Sequence, residues 1–358
     1  MKIGIITYHC ADNYGAVLQC YALQEVIKRM GHDVKIIDYR NPVVLNDYVV
    51  KFNLPSMLLY ALTFKFNYFL KYIPSYCLRK KRQEKFENFR RQYLNRTKQV
   101  GRDEIAQDFD RIIIGSDQMW TIACCKKYEP VYFGDFVRPK SCKLYGYAIS
   151  SKGDFFMPLS ASDLKRVTGN FENISFRESR ISELVKLVTG HEYPVCIDPT
   201  LLTNSTIWDS IINKDWASQK YVVTYQARWP AAPNFNAIDN IAKEYAQRHN
   251  YKVISLNSRG RSIEDFVSII KYAKAVFTSS FHATVFSIIF NTPFKSFCLH
   301  DGNDDRYLNL LRLLDLEKNI VESFDKVEFV ESFDEQKVAE KLTLLQKDSL
   351  EYLNTIFI

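Results

Sequence analysis

The chain has 358 residues, 47% of them hydrophobic and 25% charged, with a formal net charge of +7 and a mean hydropathy of −0.22. That length exceeds what one ordinary hydrophobic core organises and suggests two domains, while the composition excludes an intrinsically disordered chain and a polytopic membrane protein. The positive charge is local: residues 51–98 hold twelve Lys or Arg against Glu84 and Glu87, a local +10 that leaves the remainder near −3.

In chain order, Lys2-Ile3-Gly4-Ile5-Ile6 is a buried strand, too soon interrupted by polar residues to be the core of a signal peptide, so the expected location is the cytoplasm. The loop 8–15 leads into a helix whose apolar side follows Cys20, Leu23, Ile27 and Met30, with Gly31 closing it. Residues 34–39 form the second strand, and an insertion at 51–98 follows. Its aromatic stretch 54–76 is broken by Pro55, Lys65, Lys71 and Pro74, which argues against a membrane span. Arg79-Lys80-Lys81-Arg82, with Phe86, Phe89 and Tyr93 at helical spacing, reads as a basic amphipathic helix. Such a helix suits an anionic membrane surface or an aromatic face packed on its own domain. Nucleic acid is a poor partner, since no recognition motif accompanies the charge.

Residues 111–116 are the third strand, with further strands at 145–149 and 173–176, a helix at 178–188 and a strand at 195–197. Asp198-Pro199 closes a first domain spanning 1–205. The second, 218–334, alternates strands at 221–225, 252–256, 275–278 and 295–298 with helices at 236–249, 263–272 and 282–290. A last helix, 335–358, is expected to pack back across the hinge. This alternation specifies an α/β protein with two Rossmann-like domains facing across a cleft, which the carboxyl ends of both sheets line.

Eight cysteines show no Cys-x-x-Cys pair and fit reduced thiols. The chain has no Gly-x-Gly-x-x-Gly, Walker loop, His-Glu-x-x-His or Gly-x-Ser-x-Gly motif, so dinucleotide redox and P-loop chemistry are disfavoured and no metal site is expected. Asp108-Phe109-Asp110 precedes a strand and points to the wrong end of the sheet. His300, Asp301, Asp304 and Asp305 are expected to cap the helix that begins near Tyr307 rather than to hold a cation.

Polar residues do cluster at strand ends: Asn13, Tyr14 and Gly15 after the first strand; Asp117, Gln118 and Trp120 after the third; Arg177 and Glu178 after a later one. Each has a plainer reading, Asn13 and Gly15 as turn residues, Asp117 as a helix cap, Arg177 as a partner of Glu178 or Asp198. Opposite them, His282 stands where an apolar strand gives way to an apolar helix. Imidazole is the side chain best suited to moving protons near neutral pH.

Thr278-Ser279-Ser280-Phe281-His282-Ala283 resembles the serine-phenylalanine-histidine signature of the polysaccharide pyruvyltransferase family. Asn13-Tyr14-Gly15-Ala16, Ile114-Gly115-Ser116-Asp117-Gln118, Ser175-Phe176-Arg177-Glu178 and Asp198-Pro199-Thr200 resemble its other motifs, in family order. The resemblance implies a glycosyltransferase-B-like fold and transfer of pyruvate from phosphoenolpyruvate, as co-substrate without further cofactor, onto a sugar diol, with a lipid-linked oligosaccharide of capsule or exopolysaccharide assembly as the expected acceptor. It implies His282 and Asp117 as catalytic groups. Arg177, Ser279, Ser280, Lys152 and Arg306 would bind the donor, and Asn13, Tyr14, Gln118 and Trp120 the acceptor.

Some members carry arginine where this chain has Ser280, and Ser151-Lys152-Gly153 departs from the usual phenylalanine-glycine ending. The alternatives are a nucleotide-sugar-dependent glycosyltransferase of the same architecture and a non-enzymatic scaffold on a membrane surface.

Overall fold

The computed structural model describes residues 1–50, 66–106, 108–152, 159–203, 205–226, 235–258, 260–300, 302–324, 327 and 332–358, with the backbone alone at 66–72 and 235. Most of the aromatic stretch 54–76, as well as Gly153 and Asp301, therefore lies outside the described residues or their side chains.

The first sheet contains β1 (Lys2–Ile6), β2 (Asp33–Tyr39), β3 (Arg96–Val100), β4 (Arg111–Asp117), β5 (Lys143–Ile149) and β6 (Asn173–Phe176). Its order is β3-β2-β1-β4-β5-β6 and every pairing is parallel. Strands buried on both faces need unbroken apolar runs, and Ile3, Ile5, Ile112, Ile113 and Ile114 are inaccessible to solvent. The edge strand β3 has no such run. Its sequence Arg-Thr-Lys-Gln-Val is half exposed, as edges tend to be, and pairing with β2 rather than burial fixes it.

The helices here are α1 (Tyr14–Arg29), α2 (Pro42–Tyr48), α3 (Phe66–Tyr93), α4 (Ile122–Cys125), α5 (Ala161–Thr168) and α6 (Ser179–Thr189). The Asn13 side chain caps α1 by accepting from the Ala16 N–H, and Gly31 ends it in the left-handed region at φ 87°. Helix α2 begins with an Asn41 cap and Pro42 in its first turn, a start signal that escaped the sequence reading. The basic insertion is helical over Phe66–Tyr93, where Phe86 is fully buried against Tyr14 and Phe89 against Tyr21 and Tyr93. Residues 195–197 form only an isolated bridge from Val195 to Phe176, not the expected strand.

The second sheet contains β7 (Tyr221–Tyr225), β8 (Lys252–Ser255), β9 (Val276–Thr278), β10 (Phe294–Phe297) and β11 (Ile320–Val321), in the parallel order β11-β10-β9-β7-β8. Around it lie α7 (Phe235–His249), α8 (Ile263–Lys271), α9 (Phe281–Ile289) and α10 (Asp305–Leu313). Asp304 precedes α10 without capping it. Its carboxylate accepts instead from the Leu299 and His300 N–H groups and from the Tyr307 hydroxyl, so it pins the preceding loop.

The last helix, α11 (Glu335–Thr355), touches both halves of the chain. Lys337 and Lys341 pair with Asp315, the Ser349 hydroxyl accepts from Ile197 N–H at 3.0 Å, and Tyr352 donates to the Gly146 carbonyl at 2.7 Å. Near the cleft, Tyr14 of α1 stacks on Phe266 of α8 at 4.5 Å. Among the described residues no helix is long and apolar enough to cross a membrane.

Candidate active site

The strand order of each sheet has one reversal point, between β1 and β4 in the first and between β7 and β9 in the second. Crevices at such points, beyond the carboxyl ends of the strands, are where open α/β sheets bind ligands. Both crevices open onto the same gap between the sheets.

From the second domain comes His282, in the first turn of α9 and 7% exposed. Its Nε2 lies 3.6 Å from Oδ2 of Asp198. Its ring rests against α1 so closely that a Cβ added at Gly15 would stand 2.0 Å from Nδ1, so glycine is required there by the imidazole rather than by a turn. Asp198 is fully surrounded: it accepts from Arg177 Nη1 at 2.7 Å, from the Thr200 hydroxyl at 2.7 Å and from the Thr200 N–H at 3.0 Å. Burial by itself would raise its carboxyl, but His282, Arg177 and Thr200 outweigh burial and hold it well below the usual carboxylate range.

Arg177 follows β6 and also donates through Nε to Glu178, which takes a second hydrogen bond from the Ser150 hydroxyl. Burial pushes the Glu178 carboxyl up, against the pull of Arg177. A second guanidinium, that of Arg306 on α10, approaches from the other domain. Arg177 lies 4.9 Å and Arg306 5.8 Å from the centre of the Phe281 ring. Burial, and next the neighbouring Arg177 charge, pull Arg306 below its ordinary value. The Glu178 and Asp117 carboxylates offset part of that repulsion.

Buried polar atoms almost always find partners. Yet Arg177 Nη2, Glu178 Oε2, Ser279 Oγ and His282 Nε2 have no hydrogen-bond partner among the described residues. All four belong to residues no more than 8% exposed. Unsatisfied donors and acceptors concentrated in one crevice mark a place for a polar ligand. Ser280, at the N-cap position of α9, makes no side-chain capping bond, and Lys152 reaches within 3.9 Å of the point where a side chain on Gly302 would begin.

On the β4 side, Asp117 sits at φ 88°, a left-handed conformation that costs a non-glycine residue energy and clusters at functional sites. Its Oδ1 accepts from the Gln118 N–H. Gln118 itself donates to Asn303 at 3.3 Å, a link between the two domains. Asn13 spends its side-chain oxygen on the α1 cap.

Two aromatic residues expected at the acceptor are core residues instead. Trp120 is wholly inaccessible, stacked on Phe133 at 5.3 Å with its N–H given to the Tyr132 carbonyl. Tyr14 is 1% exposed and closed off by Phe266. The aromatic group that does face this region is Tyr48, half-buried at the end of α2. Burial, and then the Asp117 charge, raise its phenol, and Asn13 hydrogen-bonds it. Asn41-Pro42 was the signal that could have located it.

Residues 13–297 match the family model described as polysaccharide pyruvyl transferase. The chain belongs to that family. Its motifs fall at the carboxyl ends of β1, β4, β6 and β9, where the crevice lies. No curated protein matches the sequence. Among solved structures, the chain is similar to the UDP-GlcNAc 2-epimerase of Methanocaldococcus jannaschii in complex with UDP-GlcNAc and UDP, at 10% identity and TM-score 0.43, covering 97% of this chain and 100% of that one. It is also similar to the UDP-GlcNAc 2-epimerase of Neisseria meningitidis bound to UDP-GlcNAc, at 10% identity and TM-score 0.45 over 99% and 93% of the two chains. The ADP-heptose lps heptosyltransferase II of E. coli shares 11% identity at TM-score 0.37 over 97% and 99%. These likenesses say nothing about this chain's substrate. The two facing Rossmann-like units of this pyruvyl transferase family member are given by its own strand pairing.

Proposed function

We propose that this family member transfers pyruvate from phosphoenolpyruvate onto two hydroxyls of a sugar, closing a cyclic ketal and releasing phosphate. The observation carrying this reading is that a buried imidazole braced by Asp198 and two guanidiniums flanking one ring share a crevice whose buried polar atoms lack partners. A compact acid bearing both a carboxylate and a phosphate answers that arrangement, because guanidinium matches such oxyanions two bonds at a time. Arg306 takes the place of the arginine that some relatives carry where this chain has Ser280, and Lys152 adds charge. Ser279, Ser280 and the positive end of α9 provide neutral donors.

In the proposed sequence His282 gives its proton to the terminal enol carbon, leaving a cation at the carbon that bears the phosphate. The first sugar hydroxyl attacks that carbon and yields its proton to Asp117. The carbon–oxygen bond to phosphate then breaks, and the phosphate departs with that proton. The second hydroxyl closes the ring and returns a proton to His282. Two hydroxyl protons are lost, and they balance one new methyl hydrogen and one proton on phosphate. Asp198 orients the imidazole throughout, and Tyr48 with Asn13 borders the acceptor beside Asp117.

The acceptor is proposed to be a lipid-linked oligosaccharide of surface-polysaccharide assembly, met by a cytoplasmic enzyme at the inner face of the membrane. The exposure of Ile73 (43%), Leu78 (42%) and Lys81 on α3 supports that last point. The test incubates the protein with phosphoenolpyruvate and candidate glycans. Phosphate release with a ketal mass gain on the glycan is expected. Consumption of a nucleotide sugar alone would hand the assignment to a glycosyltransferase.

A further inference from the structure

Part of the basic charge on α3 faces inward. Arg82, Phe86 and Arg90 recur at every fourth residue and so share one face of the helix, and the two guanidiniums lie 5.1 and 5.7 Å from the centre of the Phe86 ring. That face is turned toward the loop between β1 and α1.

Arg90 is 4% exposed, and its guanidinium spans the loop. Its Nε donates to the His9 carbonyl at 2.8 Å, and its Nη2 to the Ala11 carbonyl at 2.8 Å, the Cys10 carbonyl at 3.2 Å and the Asp12 carboxylate at 2.6 Å. Arg82 adds a bond to the Asp12 carbonyl at 3.2 Å. One helix thus grips residues 9–12 in a row. Arginine can do this because its donors are fixed in a planar fork, whereas a lysine offers a single nitrogen that cannot reach both ends of the row. Asp12 and, at 3.4 Å, Glu87 balance the charge of Arg90, so it is not a cation waiting for substrate.

The loop leads straight into the crevice. Asn13, the next residue, caps α1 and hydrogen-bonds Tyr48 near Asp117, and Gly15 is the surface against which the His282 ring rests. Any shift of the loop carries both with it.

We infer that Arg90 is a positioning residue of the active site: through the carbonyls of residues 9–11 and the Asp12 carboxylate it fixes the start of α1, and with it the place of Asn13 and of the His282 imidazole. It touches no reacting atom. The inference rests on the pyruvyl-transfer reading for what the imidazole does, and on the geometry alone for how it is placed.

The test uses the full-length protein carrying Arg90→Lys, with Arg91→Ala as control, since Arg91 is exposed on the same helix and its loss removes one charge without touching the loop. In Arg90→Lys, hydrogen exchange at the amides of residues 9–16 should quicken by about tenfold or more, with other segments as in the wild type. The NMR resonances of the His282 ring, which need no substrate, should move. The kcat for phosphate release should fall by about 10 to 10²-fold, while phosphoenolpyruvate affinity, measured by calorimetry, stays unchanged. Added to Gly15→Ala, which already displaces the ring, Arg90→Lys should cost kcat much less than it does alone. Arg91→Ala should change none of these.

If Arg90→Lys does not fold, Asp12→Asn, which leaves the guanidinium and the carbonyls in place, carries the same test with the same local signature. Unchanged exchange with an unmoved ring, losses that simply add in the double variant, or the same losses in Arg91→Ala would overturn the inference. If the loop loosens and the ring moves while even the wild type releases no phosphate from phosphoenolpyruvate, the pyruvyl-transfer reading falls and the placing of the imidazole by Arg90 stands. If the wild type transfers pyruvate and Arg90→Lys does so at full rate, only the positioning role falls.

Discussion

At position 15 a single methyl group would collide with the imidazole proposed as the acid. Gly15→Ala would drive a Cβ to 2.0 Å from the His282 ring, and since that ring, not solvent, must give way, kcat should fall by about 10² to 10⁴, the usual worth of a positioned proton donor. The unfolding temperature should fall as well, because forcing an extra methyl into a packed contact costs about 1–3 kcal/mol. Asp198→Asn behaves differently. It leaves Arg177 short of a buried carboxylate, a loss of about 3–5 kcal/mol when one partner of such a pair is removed. The Asp198 carboxyl is depressed in the folded state, so its contribution is fully present above the unfolded carboxylate value near ~4 and is lost as pH falls below it. Unfolding curves should therefore show wild type and variant furthest apart at neutral pH and converging in acid.

Much of the crevice was legible at this scale. His282, Arg177 and Asp117 are polar residues directly after apolar strands, and a chain rarely places them there without use. Trp120 and Tyr14 misled because an aromatic residue after a strand looks the same whether it faces a ligand or another ring. The stacking partners that bury them, Phe133 and Phe266, come from elsewhere in the chain and from the other domain.

Elements with continuous apolar runs or strong helical period, such as β1, β4, α8 and α11, were readable because burial alone specifies them. The edge strand β3 was not, because its Arg-Thr-Lys-Gln-Val sequence has no buried face and only the neighbouring β2 makes it a strand. The proposed membrane contact is a property of one element, α3, whose aromatic residues Phe86 and Phe89 turn inward while Ile73 and Leu78 turn out. Liposome flotation on anionic vesicles should weaken when Lys80 and Lys81 are both changed to Ala, each Lys near such a surface contributing about 1 kcal/mol. Flotation unchanged by the double substitution would remove the membrane from the picture.

Across the molecule, the two Rossmann-like units are tied at several points around the gap: Tyr14 on Phe266, Gln118 to Asn303, Arg180 to Asp305 at 3.2 Å, and α11 against Ile197 and Gly146. These ties carry His282 of one unit to Asp198 and Gly15 of the other. The alternation of strands and helices announced the two units, but no local pattern could announce which residues would meet across them. Pyruvyl transfer with His282 as the acid is tested most directly by running the reaction in deuterated water and examining the glycan product by mass spectrometry and NMR. A ketal whose methyl group carries one deuterium, formed by the wild type and lost in His282→Gln, is the predicted result. A product that keeps the enol double bond, or full activity in His282→Gln, would contradict it.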